Sequence, residues 1–483
     1  INDVNLDIPI DYDIKDFKDV QKTINNLKNK KYSINKINKV IKEIDKISVS
    51  RLYDFIDATI EIDEIDDDKL NLIFTVIESD KFFVNRIDIL GNTITEEKVI
   101  RNQLEVDEGD PFNKLLHAKS VNNLKSLKIF ADVKDEIVSL ENSQQKNIKI
   151  TVEEKPTGEI LASAGVGNDG GTLGFAVTEK NFMGRGIGLV SSLTLSEERV
   201  KGEFTVDNPN FNYSDKSLST SVFAINTDKI ADSGYESGEV GFSFGTSFEQ
   251  YDNLFFSPSF KTVAEKLETN SSASSSIKKQ EGNYFTSSIG YAFDYDLRNQ
   301  KFQTSDGFRS TYSINLPVIS DTNTITNFYR YKVFKELYEN NVSSFSFLFK
   351  AASSLSGDDI KLSERMFIPG RKLRGFETGK IGPKDGSDFI GGNYVSSINA
   401  TTSLPKILEN VQNVDIVMFA DAANIWGVDY DSSLDKSGIR SSVGVGLDWL
   451  TPVGPLTFSF AKPITKEPTD IEETFRFNIG TSF

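Results

Sequence analysis

The chain has no cysteine and a single histidine, His117. Without thiols there can be no disulfides, no thiolate metal sites and no cysteine nucleophile. One imidazole cannot build a histidine metal cluster, and a Ser–His triad would have a single candidate base. Positive charge is also scarce: 54 basic residues stand against 71 acidic ones, for a formal charge of −17. That is the reverse of a nucleic-acid-binding footprint. No run of about 18 consecutive apolar residues occurs, which excludes a transmembrane helix. It does not exclude strands that cross a bilayer, because these hide their apolar residues at every second position. The first residue is Ile1 rather than an initiating Met. A processed or trimmed chain with further sequence upstream is therefore expected.

The 483 residues are too many for one ordinary domain, and they are written in two textures. Through residue 155, apolar residues recur at helical spacing: Phe17, Val20, Ile24 and Leu27, then Ile34, Ile37, Ile41 and Ile44, with Ser33 placed as an N-cap. "DFIDATIEID" and "KLNLIFTVIES" follow as strands, giving helix–helix–strand–strand. A similar order then returns. "FFVNRIDILGN" reads as a strand, and Thr95 as the cap of a helix whose first turn holds Glu96 and Glu97. A second helix runs through Leu116, Val121, Leu124 and Leu127, and "IFADVKDEIVSL" and "NIKITVEEK" close the unit as strands. Two tandem α+β modules, 1–80 and 81–155, are the economical reading, with Pro156 and Gly158 marking the boundary.

From 156 to 483 the helical period disappears and strict alternation replaces it. Phe285, Ile289, Tyr291, Phe293 and Tyr295 share one face; Ile439, Val443, Val445, Leu447 and Trp449 share another. A soluble sandwich alternates too, but its inner faces favour aliphatics, whereas here aromatics crowd the strand ends. About sixteen such segments of roughly ten residues predict an all-β 16-stranded transmembrane barrel, apolar toward lipid and polar toward a lumen. The Ser-rich stretch 268–282 reads as a long exposed loop.

Few motifs suggest chemistry. "GVGNDG" (165–170) matches a dinucleotide-binding pattern but lacks the strand–helix context, so a hairpin turn between the first two barrel strands is expected. His117 has no Ser or acidic partner in a recognisable elbow and reads as solvated or partly packed. "EIDEIDDD" (61–68) reads as a solvated strand end and turn, its spacing fitting no EF-hand. No arrangement asks for an enzyme, a metal or a cofactor.

One stretch stands apart. "RKLRGFETGKIGPKDG" (371–386) places four glycines and five basic residues around one Phe, too irregular for a strand and too Gly-rich for a helix. It is followed by "GGN" (391–393) and "WLTPVGPLTFSFAKPI" (449–464); earlier come "FFVNRIDILGNTITEEKVIRNQLEVDEGDPFN" and "NFMGRGIGL". The chain ends on Phe483, in lipid-facing phase with Phe475, Phe477 and Ile479, with Gly480 between. In this order the blocks resemble the POTRA-plus-barrel family of outer-membrane assembly proteins, and the likeness covers nearly the whole chain.

The resemblance implies that a loop at about 355–390 folds into the barrel lumen. In its Leu373-Arg374-Gly375-Phe376 motif, Arg374 would pair with Asp421 on the inner wall. Where family members carry a second acid this chain has Thr401, and Glu377 is a possible substitute. The resemblance also implies an outer-membrane barrel with periplasmic POTRA domains, acting without a chemical step. A lateral gate would lie between the first strand (Ile160, Ala162, Ala164, Val166) and the last (Phe475, Phe477, Ile479, Gly480, Phe483). The small residues of "EILASAGVG" (159–167) agree, since they add little cross-strand packing. Implied partners are unfolded outer-membrane β-barrel substrates, accessory outer-membrane lipoproteins docking on the POTRA domains, periplasmic chaperones and membrane lipid. A sister factor for autotransporters or two-partner secretion shares this architecture. A passive pore would not need residues 1–155.

Overall fold

The computed structural model describes the chain except residues 26, 29–36, 38–39, 42, 45–46, 48–55, 67–68, 79–81, 215, 302–303, 339–340, 405–413, 436, 452–453 and 481–483. Ser33, Ile34 and Phe483 thus lie outside the described residues. The chain divides into two units, Ile1–Thr157 with Met183–Arg185, and the remainder from Gly158.

The first unit repeats one topology. In its first half, strand Val4–Asp7 runs parallel to Lys69–Glu78, which pairs antiparallel with Ile56–Asp66. In its second half, Phe83–Leu90 runs parallel to Gln145–Glu154, which pairs antiparallel with Phe130–Ser139. Helices cover each sheet. Phe17, Val20, Ile24 and Ile44 pack on Leu72 and Phe74 in one core, and Ile100, Val121 and Leu124 on Ile148 and Ile150 in the other. The opening strand Val4–Asp7 is absent from the helix–helix–strand–strand reading because four residues before Pro9 carry too short a pattern.

Two local expectations are corrected here. The N-cap position of the helix Glu97–Arg101 is held by Glu96, whose side chain makes no capping bond, and not by Thr95. Thr95 lies one position earlier, and its amide donates to the Glu154 carboxylate at 2.6 Å. The same carboxylate accepts from the Ile94 amide and from the amide and hydroxyl of Thr93. His117 is buried rather than solvated, and its Nε2 meets Asp135 Oδ2 at 2.7 Å. Asp135 comes from the neighbouring strand, a pairing that chain spacing does not reveal.

Burial alone would raise the Glu154 pKa, but hydrogen bonds from Thr95, Thr93 and Ile94 outweigh it and hold the carboxyl at about 2. A depressed folded pKa stabilises the turn above the unfolded value of about 4.3, and the contribution is lost as pH falls through 2. Protection of the Thr93–Thr95 amides from hydrogen exchange, corrected for the intrinsic rate, is therefore expected to decline between about pH 4.3 and 2. Glu154→Gln should flatten that decline.

The second unit is a closed barrel of sixteen strands, from Gly158–Gly167 to Phe475–Gly480, and every neighbouring pair is antiparallel. Alternation dictates its surface. Phe175, Phe204, Phe242, Phe285, Phe345 and Val445 stand exposed, one pleat from residues that turn inward. Such an apolar exterior is the signature of a barrel solvated by lipid. GVGNDG forms the tight turn between the first strand and the second, Gly170–Phe182. The Ser-rich stretch differs from expectation: Ser275–Lys278 is a short helix, and Ile277 is buried with Leu362 and Ile390 over the barrel end. Serines conceal it because only Ala273 and Ile277 carry the apolar contact.

Candidate functional site

Between the eleventh strand, Asn341–Ser354, and the twelfth, Tyr394–Ser403, the chain leaves the wall. Leu373 and Phe376 are buried with Ile368, Ile381, Val395 and Ile425, so the loop is anchored by an apolar knot against the inner wall. Gly375–Phe376 pairs with Glu472–Glu473, the segment leading into the last strand. Gly375 has φ +96°, a conformation that suits glycine, and a Cβ there would meet Ser442 and Ala461 at 3.2–3.3 Å.

Arg374 is fixed by its neighbours. Its Nε and one terminal nitrogen donate to the two oxygens of Asp421 at 2.7 and 2.8 Å, and its backbone amide adds a third bond to the same carboxylate. The guanidinium lies 3.3 Å from the Phe419 ring centre, a cation–π contact. Asp421 is fully buried. Asn399 completes the arrangement, donating from Nδ2 to Asp421 at 3.0 Å and to the Lys372 carbonyl at 2.8 Å. Thr401, two residues further along the same face, lines the lumen cavity instead. Glu377 faces Lys380 at 3.5 Å rather than Arg374. Asn399 escaped notice because an amide in a strand of small polar residues has no signature, and spacing alone cannot set its depth against the loop.

Among the described residues, the two edges of the first strand differ in how far they are paired. Across the seam with the last strand, pairing among these residues is confined to Asn478↔Gly167, Ile479↔Val166 and Gly480↔Gly165. On its other edge the first strand pairs continuously with the second, from Gly158↔Glu179 to Gly167↔Gly170. Ile160, Ala162 and Ala164 therefore have strand partners on one side within the described chain, and Ile160 is 84% exposed. Gly480 approaches closely: its φ is +90°, and a Cβ would lie 2.4 Å from the Ala164 carbonyl oxygen.

The opposite end of the seam is clamped by residues the sequence did not single out. Asn168 Nδ2 donates to the Phe475 carbonyl and to Glu473, both at 2.9 Å, and the Phe477 amide donates to Asn168 Oδ1 at 2.8 Å. Arg476 bridges Asp169 at 3.0 Å and Glu473 at 2.7 Å. The terminal nitrogen facing Glu473 also reaches the Phe376 carbonyl at 3.4 Å, tying the loop to the last strand. Each neutral hydrogen bond is worth about 0.5–1.5 kcal/mol net. Asn168→Ala is thus expected to speed exchange of the Phe477 amide by about tenfold or more, with little effect on Val395 in the wall behind the loop.

Comparison with known proteins places this architecture. Residues 82–155 match a POTRA model, described as a surface antigen variable number repeat. Residues 181–483 match the Omp85 superfamily domain. The chain belongs to the Omp85 superfamily.

Among relatives of this Omp85 chain, the outer membrane protein assembly factor BamA of Neorickettsia risticii is 25% identical over 426 residues, which is 86% of this chain and 57% of the relative. BamA of Neisseria meningitidis is 24% identical over 469 residues, covering 83% and 57%. The Omp85 chain therefore spans little more than half the length of these relatives. The crystal structure of Haemophilus ducreyi BamA lacking POTRA domains 1–3 superposes with a TM-score of 0.74 at 21% identity, over 100% of both chains. CdiB of Acinetobacter baumannii gives 0.54 at 13% identity, over 99% of this chain and 89% of that one. The Omp85 barrel lies in the bacterial outer membrane, with its POTRA region in the periplasm.

Proposed function

We propose that this chain folds and inserts β-barrel proteins into the outer membrane, through a lateral gate at the seam and without a chemical step. The observation that carries the reading is the seam itself, paired over three described residues while the rest of the first strand's edge has no described partner. A closed barrel has no free edge, and lipid cannot satisfy unpaired backbone groups. A weak seam can open and accept an incoming strand by β-augmentation. In this reading residues 1–80 and 81–155 are two POTRA domains and 156–483 the barrel. The POTRA domains receive unfolded substrates from periplasmic chaperones and dock accessory lipoproteins, and the Arg374–Asp421 pair holds the lumen loop in place. The names of the relatives support the assembly role.

The test is reconstitution of the purified chain in liposomes with an unfolded outer-membrane barrel. Protease protection and heat-modifiable mobility report substrate folding, while a trapped dye reports leakage. Accelerated folding is expected. Steady leakage without acceleration would overturn the proposal in favour of a pore or exporter.

A further inference from the structure

In much of the barrel interior, cations stand beside carboxylates: Arg309 with Asp294, Arg298 with Asp296, Arg374 with Asp421, Lys361 with Glu265, Arg440 with Asp470. One group departs from this. Arg330 and Lys332 lie two residues apart, on the same face of the strand Thr324–Tyr338. Lys332 is the register partner of Ser346, and Lys372 from the loop donates to the Ser346 hydroxyl at 2.6 Å. Lys332 and Lys372 thus meet at one serine, and Arg330, the register partner of Leu348, stands one pleat further along the same wall. Among the described residues, Arg330, Lys332 and Lys372 form no ion pair.

Acid is not in short supply, with 71 acidic residues in the chain. The nearby Asp421 is already engaged, its oxygens accepting from Arg374 and Asn399. Lys332 and Lys372 line a cavity of about 760 Å³ that also touches Ser344, Asn399 and the seam at Val166. Asp415 and Asp448, register partners of each other, line the same cavity. They oppose a large polyanion and leave the cationic side to a single compact anion. Lys332 and Lys372 are half-buried, and like charges this close are costly there unless an anion offsets them. Ammonium and guanidinium donors together suit tetrahedral phosphate oxygens.

We infer that Arg330, Lys332 and Lys372 form a lumen site for one phosphate group, either free phosphate or the headgroup phosphate of a lipid reaching the cavity through the seam. Arg374 lines the same cavity, but its guanidinium is already held by Asp421, and the site does not depend on insertion activity.

The test is lysine acylation of the full chain in phosphate-free detergent, read by peptide mass spectrometry. It is run alone, with inorganic phosphate, and with a short-chain phosphatidylglycerol. Lys332 and Lys372 should be labelled several-fold more slowly with at least one probe, while the exposed Lys266 stays unchanged. Protection by inorganic phosphate identifies the free ion as sufficient. Protection by the lipid alone identifies a headgroup. Calorimetry with the protecting probe should show about tenfold weaker binding for the Lys332→Gln, Lys372→Gln double variant, and none for Lys266→Gln. Equal labelling of Lys332 and Lys372 with and without both probes would overturn the site.

Discussion

A disulfide between Val166→Cys and Ile479→Cys is expected to stop assisted folding of a substrate barrel in liposomes, with activity returning on reduction. The two positions are register partners on neighbouring antiparallel strands, where Cα separations of about 4.5–5.5 Å suit a disulfide. The chain has no cysteine of its own, so the introduced pair has no competing thiol. A strand added along Gly158–Gly167 must finally displace the last strand from residues 165–167, and the crosslink forbids that step. At least a tenfold loss of rate under oxidation is expected, on the order of 1.4 kcal/mol in the barrier. A matched disulfide between Leu161 and Ala176, register partners across the first hairpin, should leave activity intact. Full activity with the seam locked would reject lateral opening.

Breaking the Arg374–Asp421 pair is expected to have the largest effect on the lumen loop. Asp421 is fully buried and Arg374 is 17% exposed at its side chain. Removing one member of such a pair strands the other, at about 3–5 kcal/mol. Asp421→Ala leaves the guanidinium with Phe419 and takes away one of the two acceptors of Asn399. Arg374→Ala leaves the carboxylate with Asn399 and the backbone amide of residue 374, and with no countercharge. Each should lower the heat-modification midpoint of the barrel and open the segment 355–393 to protease. The double variant should cost less than the sum of the two, because neither charge is then stranded. Thr401→Ala and Glu377→Ala should each stay within about 0.5 kcal/mol of the parent, as surface-like changes do. Additive single-variant losses would show that the two residues act separately.

The features written in periodicity were the legible ones. Alternation with aromatics on one face was enough for a sixteen-stranded barrel, since lipid on one side and water on the other impose a period of two on every strand. Arg374 and Asp421 could be joined on paper only through the family resemblance, because more than forty residues, including the whole twelfth strand, lie between them. What stayed hidden was local and lateral. Asn399 differs from Thr401 by one pleat, a distance set by how deeply the loop descends. Asn168 and Arg476 belong to opposite ends of the barrel sequence, and only closure brings them together. Glu154 serves a turn sixty residues earlier, across the sheet of its own module. Val4–Asp7 is too short to show a period and becomes a strand because Leu72–Thr75 offers it an edge.

In the proposed mechanism, the Asn168 clamp would give strand exchange a direction. The chain enters the barrel at Gly158, the end where the first strand's edge has no described partner, and the Asn168 clamp sits at the far end. An incoming strand can form its first backbone bonds there without breaking any described ones, as a toehold does in nucleic-acid strand displacement. Only later must it exchange bond for bond with Gly480, Ile479 and Asn478. Exchange of that shape would run downhill at the start and nearly level afterward, and would then need no nucleotide or ion gradient to begin. Its slow step would then fall at the clamp, where the last bonds of the old partner are released.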